Sequence, residues 1–145
     1  MADYTNGDYQ ISTDPARLDL AAIHAYIARS YWGNNRPIDV VARSLQHSLC
    51  FGVYRGAEQI GLARVVTDHA TFAYLCDVYI LEAHQGRGLG KWLISVVAGY
   101  PLLQGLRRWS LATRDAHGLY EQYGFSRLSD PDRWMEIYRP TPAAG

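Results

Sequence analysis

Three glycines on alternate positions, Gly86, Gly88 and Gly90, with Arg87 and Lys91 among them, form the stretch of this chain best suited to binding chemistry. Glycine leaves backbone N–H groups uncovered and lets a ligand approach the main chain closely. An apolar set follows at helical spacing, Leu89, Trp92, Leu93, Val96 and Val97, so the glycines sit where a helix begins. The positive end of that helix and the two cations make phosphate the ligand to expect. Spacing narrows the choice. A P-loop needs GxxxxGK followed by Ser or Thr, but Gly90-Lys91 is followed by Trp92, and the first glycine position holds Gln85. A GxGxxG dinucleotide fingerprint fails as well, because Lys91 stands at its third glycine. A turn built for sterics alone would explain one glycine, not three with two cations.

The spacing that does fit is Gln-x-x-Gly-x-Gly, carried by Gln85, Gly88 and Gly90. Downstream, "DAHGLYEQYGF" presents Ala116 and Tyr120, then Gly124-Phe125. With both patterns in this order, the chain resembles the GNAT superfamily of acyl-CoA-dependent N-acetyltransferases over essentially its whole length. The resemblance implies acetyl-CoA as cofactor. Its pyrophosphate would lie on the backbone of Gln85, Gly86, Arg87, Gly88, Leu89 and Gly90 and near Lys91. Its pantetheine arm would pair with backbone groups at Val78, Tyr79 and Ile80, where the central strand splays from a parallel neighbour. Tyr120 matches the general acid that protonates the departing thiolate. Two positions depart from the pattern: Glu82 replaces a frequent proline, and Thr113 stands where many members place an asparagine that bonds the pantetheine. No metal and no covalent enzyme intermediate are implied.

Transfer to an amine also needs the amine deprotonated. Asp77, among apolar neighbours, is either a general base or the partner of a buried arginine such as Arg64. Glu82, His84 and a chain of waters are alternatives for the base. The resemblance sets the acceptor between the first helices and the last strands, which draws in Tyr31, Trp32 and Arg36 of "SYWGNNRP" and Trp134 near the end. These favour a small, amino-acid-like amine. Acetylation of a protein or peptide amine, and a non-catalytic acyl-CoA-binding module, are the rival readings.

The elements that must position these residues follow from periodicity. The order expected is β-α-α-β-β-β-α-β-α-β-β, an α/β fold with a mixed sheet of six or seven strands and about four helices. A first strand is predicted over 8–13, helices from Asp14 or Asp19 and from Pro37, a hairpin across "RGAE", and a strand over 71–81 apolar on both faces. Two short strands, around "FSRLS" and "WMEIYR", would close the sheet. The 145 residues, 48% of them hydrophobic, suit one domain over 1–145 with an ordered core from about 8 to 140. Fourteen basic and fourteen acidic residues cancel, which argues against a general grip on nucleic acid or an anionic membrane. No apolar run approaches the ~20 residues of a membrane span. These features suggest a cytoplasmic protein. Cys50 and Cys76 lie in apolar strand-like runs and read as buried thiols. A homodimer is a further expectation from the resemblance, with an exposed final strand as its surface.

Overall fold

The computed structural model of the chain describes residues 3–33 and 35–140; Asn34 of the predicted loop lies outside them. Six strands form one sheet in sequence order. They are β1 (Asp3–Asn6), β2 (Tyr9–Ser12), β3 (Leu49–Arg55), β4 (Glu58–Thr67), β5 (Phe72–Ile80) and β6 (Arg108–Leu111). Every adjacent pair is antiparallel except β5–β6, which is parallel. Helices α1 (Leu20–Arg29) and α2 (Ile38–Gln46) stand between β2 and β3, α3 (Leu89–Ala98) carries the chain from β5 to β6, and α4 (His117–Glu121) follows β6. Among the described residues no helix is long and apolar enough to cross a membrane.

The helices form where the local chemistry starts and stops them. Asp19 caps α1 by accepting from the Ala22 N–H at 3.1 Å. Pro37 opens α2, whose Val41 and Leu45 recur four apart and are buried. Together with Ile23 and Ile27 of α1 they pack on Cys50, Leu62 and Tyr79, covering one face of the sheet. On the other face Leu89, Leu93, Ile94 and Val97 of α3 pack on Phe51, Val53, Ile60 and Val65. Each such fully buried aliphatic side chain stabilises the fold by about 1.5–3 kcal/mol relative to exposure. Both faces of β3–β5 are therefore covered, as the two-sided apolar pattern of residues 71–81 predicts.

The structure departs from the predicted order at both ends. At the start there are two strands, because Gly7 at φ +59 turns the chain between Asn6 and Tyr9 into a hairpin. The Gly7-Asp8 pair that forms its two-residue loop is a turn signal that the prediction passed over. At the end the two closing strands are not formed. A 3-10 turn, Pro131–Arg133, occupies that region instead, and residues 134–140 form no strand. Alternation tells which side of a strand is apolar; it does not supply the neighbour that makes a strand.

Two irregularities in β5 create the site. Asp77 sits at φ +51, in the left-handed region, and across from it the register slips, with Leu62 facing Tyr79 but Arg64 facing Cys76. Two residues of β5 thus oppose one of β4, a bulge that bends the strand. On its other side β5 pairs with β6 only from Phe72↔Arg108 to Leu75↔Leu111. Beyond Leu75 the two parallel strands separate.

Candidate active site

The separation opens a cleft of about 460 Å³ between β5 and β6. It brings together Tyr31, Trp32 and Arg36 from the α1–α2 connection, Asp77 and Val78 from β5, and Thr113 and Tyr120 from the β6–α4 region. All seven were singled out in the sequence, and they come from stretches nearly ninety positions apart. With the pairing ended at Leu75, the backbone of residues 76–80 has no strand on the cleft side. Such unpaired N–H and C=O groups are a ready partner for an extended ligand.

Asp77 is the electrostatic centre of the cleft. Its side chain is 2% exposed, and Oδ2 accepts from Arg64 Nε at 2.8 Å and from Arg36 at 3.0 Å. Oδ1 accepts from the Trp32 indole N–H at 3.1 Å. Arg64 in turn donates to the Ser48 hydroxyl at 3.0 Å. The Arg64 partnership is therefore present, and Arg36 and Trp32 add to it. A carboxylate so buried stays compatible with the fold because these donors replace water. Of the alternatives, Glu82 is engaged in a two-point pair with Arg29 at 2.7 and 2.9 Å, which holds its carboxyl down to about 2. His84 is buried, within 2.8 Å of the Tyr9 hydroxyl.

Aromatic residues roof the cleft. Tyr31 and Trp32 meet edge to face at 5.3 Å, and the Tyr31 ring lies under the Arg114 guanidinium at 3.8 Å. Arg114 also donates its backbone N–H to the Tyr31 hydroxyl at 3.4 Å. This link joins the end of α1 to the β6–α4 loop. Nothing in the spacing of Tyr31 and Arg114 announces it, since a contact across 83 positions leaves no periodic trace. Arg64 as a support and Arg114 as a latch are the residues sequence reasoning undervalued.

Tyr120 is 9% exposed, and burial, aided by nearby Tyr31, raises its hydroxyl above the usual tyrosine value. It is thus fully protonated at neutral pH. Its ring packs edge-on against Phe125 at 5.9 Å, which explains in packing terms why the Gly-Phe pair follows it. Thr113 accepts from the Ala116 N–H at 3.1 Å and so holds the turn that leads into α4 while facing the cleft. Cys76 also lines the cleft, but burial pushes its thiol up to about 11, leaving it un-ionised.

At the cleft end of β5 the glycine stretch turns into α3. Gly86 and Gly88 have φ +80 and +77, and a Cβ added at Gly86, Gly88 or Gly90 would meet nothing within 4 Å. The glycines therefore keep both a left-handed turn and open space above it. Gly88 caps α3 without any side-chain hydrogen bond, so among the described residues no side chain caps the first helical N–H groups. Gln85 turns its side chain inward, donating to the Ile80 carbonyl at 2.8 Å, and pins the turn to the end of β5. Tyr123 adds a brace by donating to the Lys91 carbonyl at 3.0 Å.

One expected position differs. Trp134 does not face Tyr31 and Trp32; its ring lies 4.9 Å from the Arg108 guanidinium, at the far end of β6. The cause is the missing final strand, since the Pro131–Arg133 turn delivers Trp134 there instead. Tyr79 contributes only main chain on the cleft side. Its ring is buried on the opposite face, stacked on Tyr26 at 3.9 Å.

The fold and this cleft define an α/β domain with one parallel seam opened beside a helix start. Residues 46–127 match the acetyltransferase (GNAT) domain, and the chain belongs to that family and is an acyltransferase enzyme. It is 39% identical over 141 residues to a predicted acetyltransferase of Gibberella zeae, covering 81% of this chain and 78% of that one. A crystal structure of a predicted GNAT-family acetyltransferase from Xanthomonas campestris is 47% identical, with TM-score 0.89 over 92% of this chain and 94% of that one. A predicted acetyltransferase of Clostridium acetobutylicum, solved with acetyl-CoA, shares the fold at 12% identity, TM-score 0.64, over 90% and 94% of the two chains.

Proposed function

We propose that this enzyme transfers an acetyl group from acetyl-CoA directly to the primary amine of a small, amino-acid-like acceptor. One observation carries the reading: the unpaired edge of β5 after Leu75 runs from the Asp77–Tyr120 cleft straight to the open glycine turn. The glycine turn leaves room for a pyrophosphate against N–H groups at the start of α3, and Arg87 and Lys91 add matching charge. Acetyl-CoA supplies an acetyl group already activated as a thioester.

The chain's own residues then divide the work. Unpaired backbone groups of 78–80 orient the extended arm, and a β5 N–H near Val78 polarises the acyl oxygen as negative charge grows there. Tyr120 holds its proton at Oη and gives it to the departing sulfur. Tyr31 and Trp32 exclude water from above. Asp77, with both oxygens already engaged, acts as the fixed anion that aligns Arg36, Arg64 and Trp32. That role suits it better than carrying protons, so the amine's proton leaves through water in the cleft as nitrogen bonds to the acyl carbon and the carbon–sulfur bond breaks. The roofed cleft of about 460 Å³ fits a small acceptor better than a protein surface, and Arg36 at its rim suits an acceptor carboxylate.

If acetyl-CoA binds, it stabilises the folded chain by about 2.7 kcal/mol at a hundred times its Kd. An unchanged melting temperature at high cofactor would overturn the reading. A screen of amines, amino acids and peptides that follows release of free thiol then identifies the acceptor class; exclusive use of peptides would refute the small-acceptor part. Tyr120→Phe should lower turnover at least about 10²-fold while keeping the cofactor-induced stabilisation. Unchanged turnover removes Tyr120 as the acid.

A further inference from the structure

The floor of the cleft continues past Asp77 onto a part of the sheet that no helix covers. Cys50 faces Arg64 and Arg64 faces Cys76 across β3, β4 and β5, so the three share the face on which α1 and α2 pack. Two residues further along, Val66 faces Tyr74 on that same face. The helices do not reach this pair: Val66 is 41% exposed and Tyr74 36%. Tyr74 also lines the cleft, with Cys76 beside it and Tyr31 and Trp32 across from it on the α1–α2 connection. Both of those rings are held, Trp32 by its indole N–H on Asp77 and Tyr31 by the Arg114 guanidinium over its face. The end of the cleft away from the glycine turn is thus an apolar ledge beside two fixed rings.

Charge narrows what can lie there. Among the described residues three arginines and two aspartates line the cleft, a surplus of one positive charge. Asp77 already has both oxygens engaged, by Arg36, Arg64 and Trp32. Resting on the acetyl-transfer reading above, we propose that the acceptor is an aromatic α-amino acid, its carboxylate on Arg36 and its ring on the Val66–Tyr74 ledge. One carboxylate matches the surplus, whereas a polyamine or another polycation adds to it. Rigid aromatic walls favour a planar side chain that can meet them face or edge on. Val66 and Tyr74 then decide which side chain is accepted. In the reaction the α-nitrogen bonds to the acyl carbon, the carbon–sulfur bond breaks, and sulfur takes the Tyr120 proton. One proton of the ammonium leaves to solvent and a second replaces the one Tyr120 gave up. The products are the N-acetyl amino acid and free coenzyme A.

Two readouts test this. Calorimetry with coenzyme A present measures binding of L-phenylalanine, L-alanine, phenethylamine and spermidine, and release of free thiol measures turnover of each with acetyl-CoA. Phenylalanine should bind, and its kcat/KM should exceed each of the others at least about tenfold, the worth of a single well-placed methylene. Tyr74→Ala should shrink the ratio of phenylalanine to alanine at least about tenfold. Val66→Glu, at an exposed position, should shift the preference from phenylalanine towards arginine as acceptor. Phenylalanine that binds while acetyl-CoA goes unused refutes acetyl transfer and keeps the occupant of the ledge. Turnover that favours alanine, phenethylamine or spermidine over phenylalanine does the reverse: acetyl transfer stands and the aromatic amino acid falls. Phenylalanine that does not bind overturns the proposal, and so does a preference that neither variant moves.

Discussion

Asp77 shows how one residue can set both a backbone and a field. Its φ of +51 is a conformation that Asp and Asn tolerate far better than branched residues do, so the bulge and the carboxylate come together. Asp77→Asn keeps the bulge and removes the charge, leaving Arg36 and Arg64, whose side chains are 19% and 14% exposed, without their anion. Breaking a fully buried pair costs about 3–5 kcal/mol; partial exposure of the arginines brings the expected loss to about 2 kcal/mol. Urea unfolding midpoints check this. If the midpoint is unmoved while turnover collapses and its pH profile shifts, Asp77 is a proton carrier and not the cleft's fixed anion.

At the scale of the element, the start of α3 separates two uses of glycine. Gly88, at φ +77, is needed for the turn, and Gly88→Ala should cost about 1–2 kcal/mol as well as weaken the cofactor's grip. Gly90 lies inside α3, where its φ is ordinary and alanine is the better helix former by about 1 kcal/mol. Gly90→Ala should therefore raise the melting temperature of the free chain and reduce the further rise that acetyl-CoA gives. Melting curves with and without cofactor read both. Equal cofactor stabilisation in wild type and Gly90→Ala would move the pyrophosphate elsewhere. This turn was legible in the sequence because its constraint is local: spacing alone excluded two phosphate motifs. The hairpin of β1 and β2 was equally local, in Gly7-Asp8, and was missed by starting the first strand at residue 8. The terminal strands were read from alternation, which cannot report whether a neighbour exists. The Asp77 node was half legible, as a carboxylate in an apolar strand with Arg64 one strand away. The Tyr31–Arg114 latch was not, because only the fold brings those residues together.

For the molecule as a whole, buried tyrosines set the alkaline limit. Burial pushes Tyr54 up to about 12 and raises Tyr79 and Tyr120 above the ordinary value. In the unfolded chain all three ionise near the usual tyrosine value of about 10. Their folded values are raised, so their contribution is complete below about pH 10 and is lost as pH climbs through the folded values. The melting temperature should hold to about pH 10 and then fall steeply towards 12. A flat curve across that range would mean that these hydroxyls are solvated. On the acid side Glu82 acts in the opposite sense: its contribution, present above its ordinary value near 4.5, fades as pH drops towards about 2. The pair is exposed, so that limb is shallow.

The short β5–β6 seam also orders events in time. Strands β3 to β5 meet neighbours adjacent in sequence, whereas β6 joins only after the chain has crossed over through α3. Pairings close in sequence form fastest, since they restrict the least chain. During synthesis the antiparallel meander can assemble before residues 108–111 have left the ribosome. The cleft between β5 and β6 is consequently the last region of the enzyme to come into being. With four residue pairs holding it, against six between β4 and β5 and seven between β3 and β4, it also opens more readily than the meander beside it.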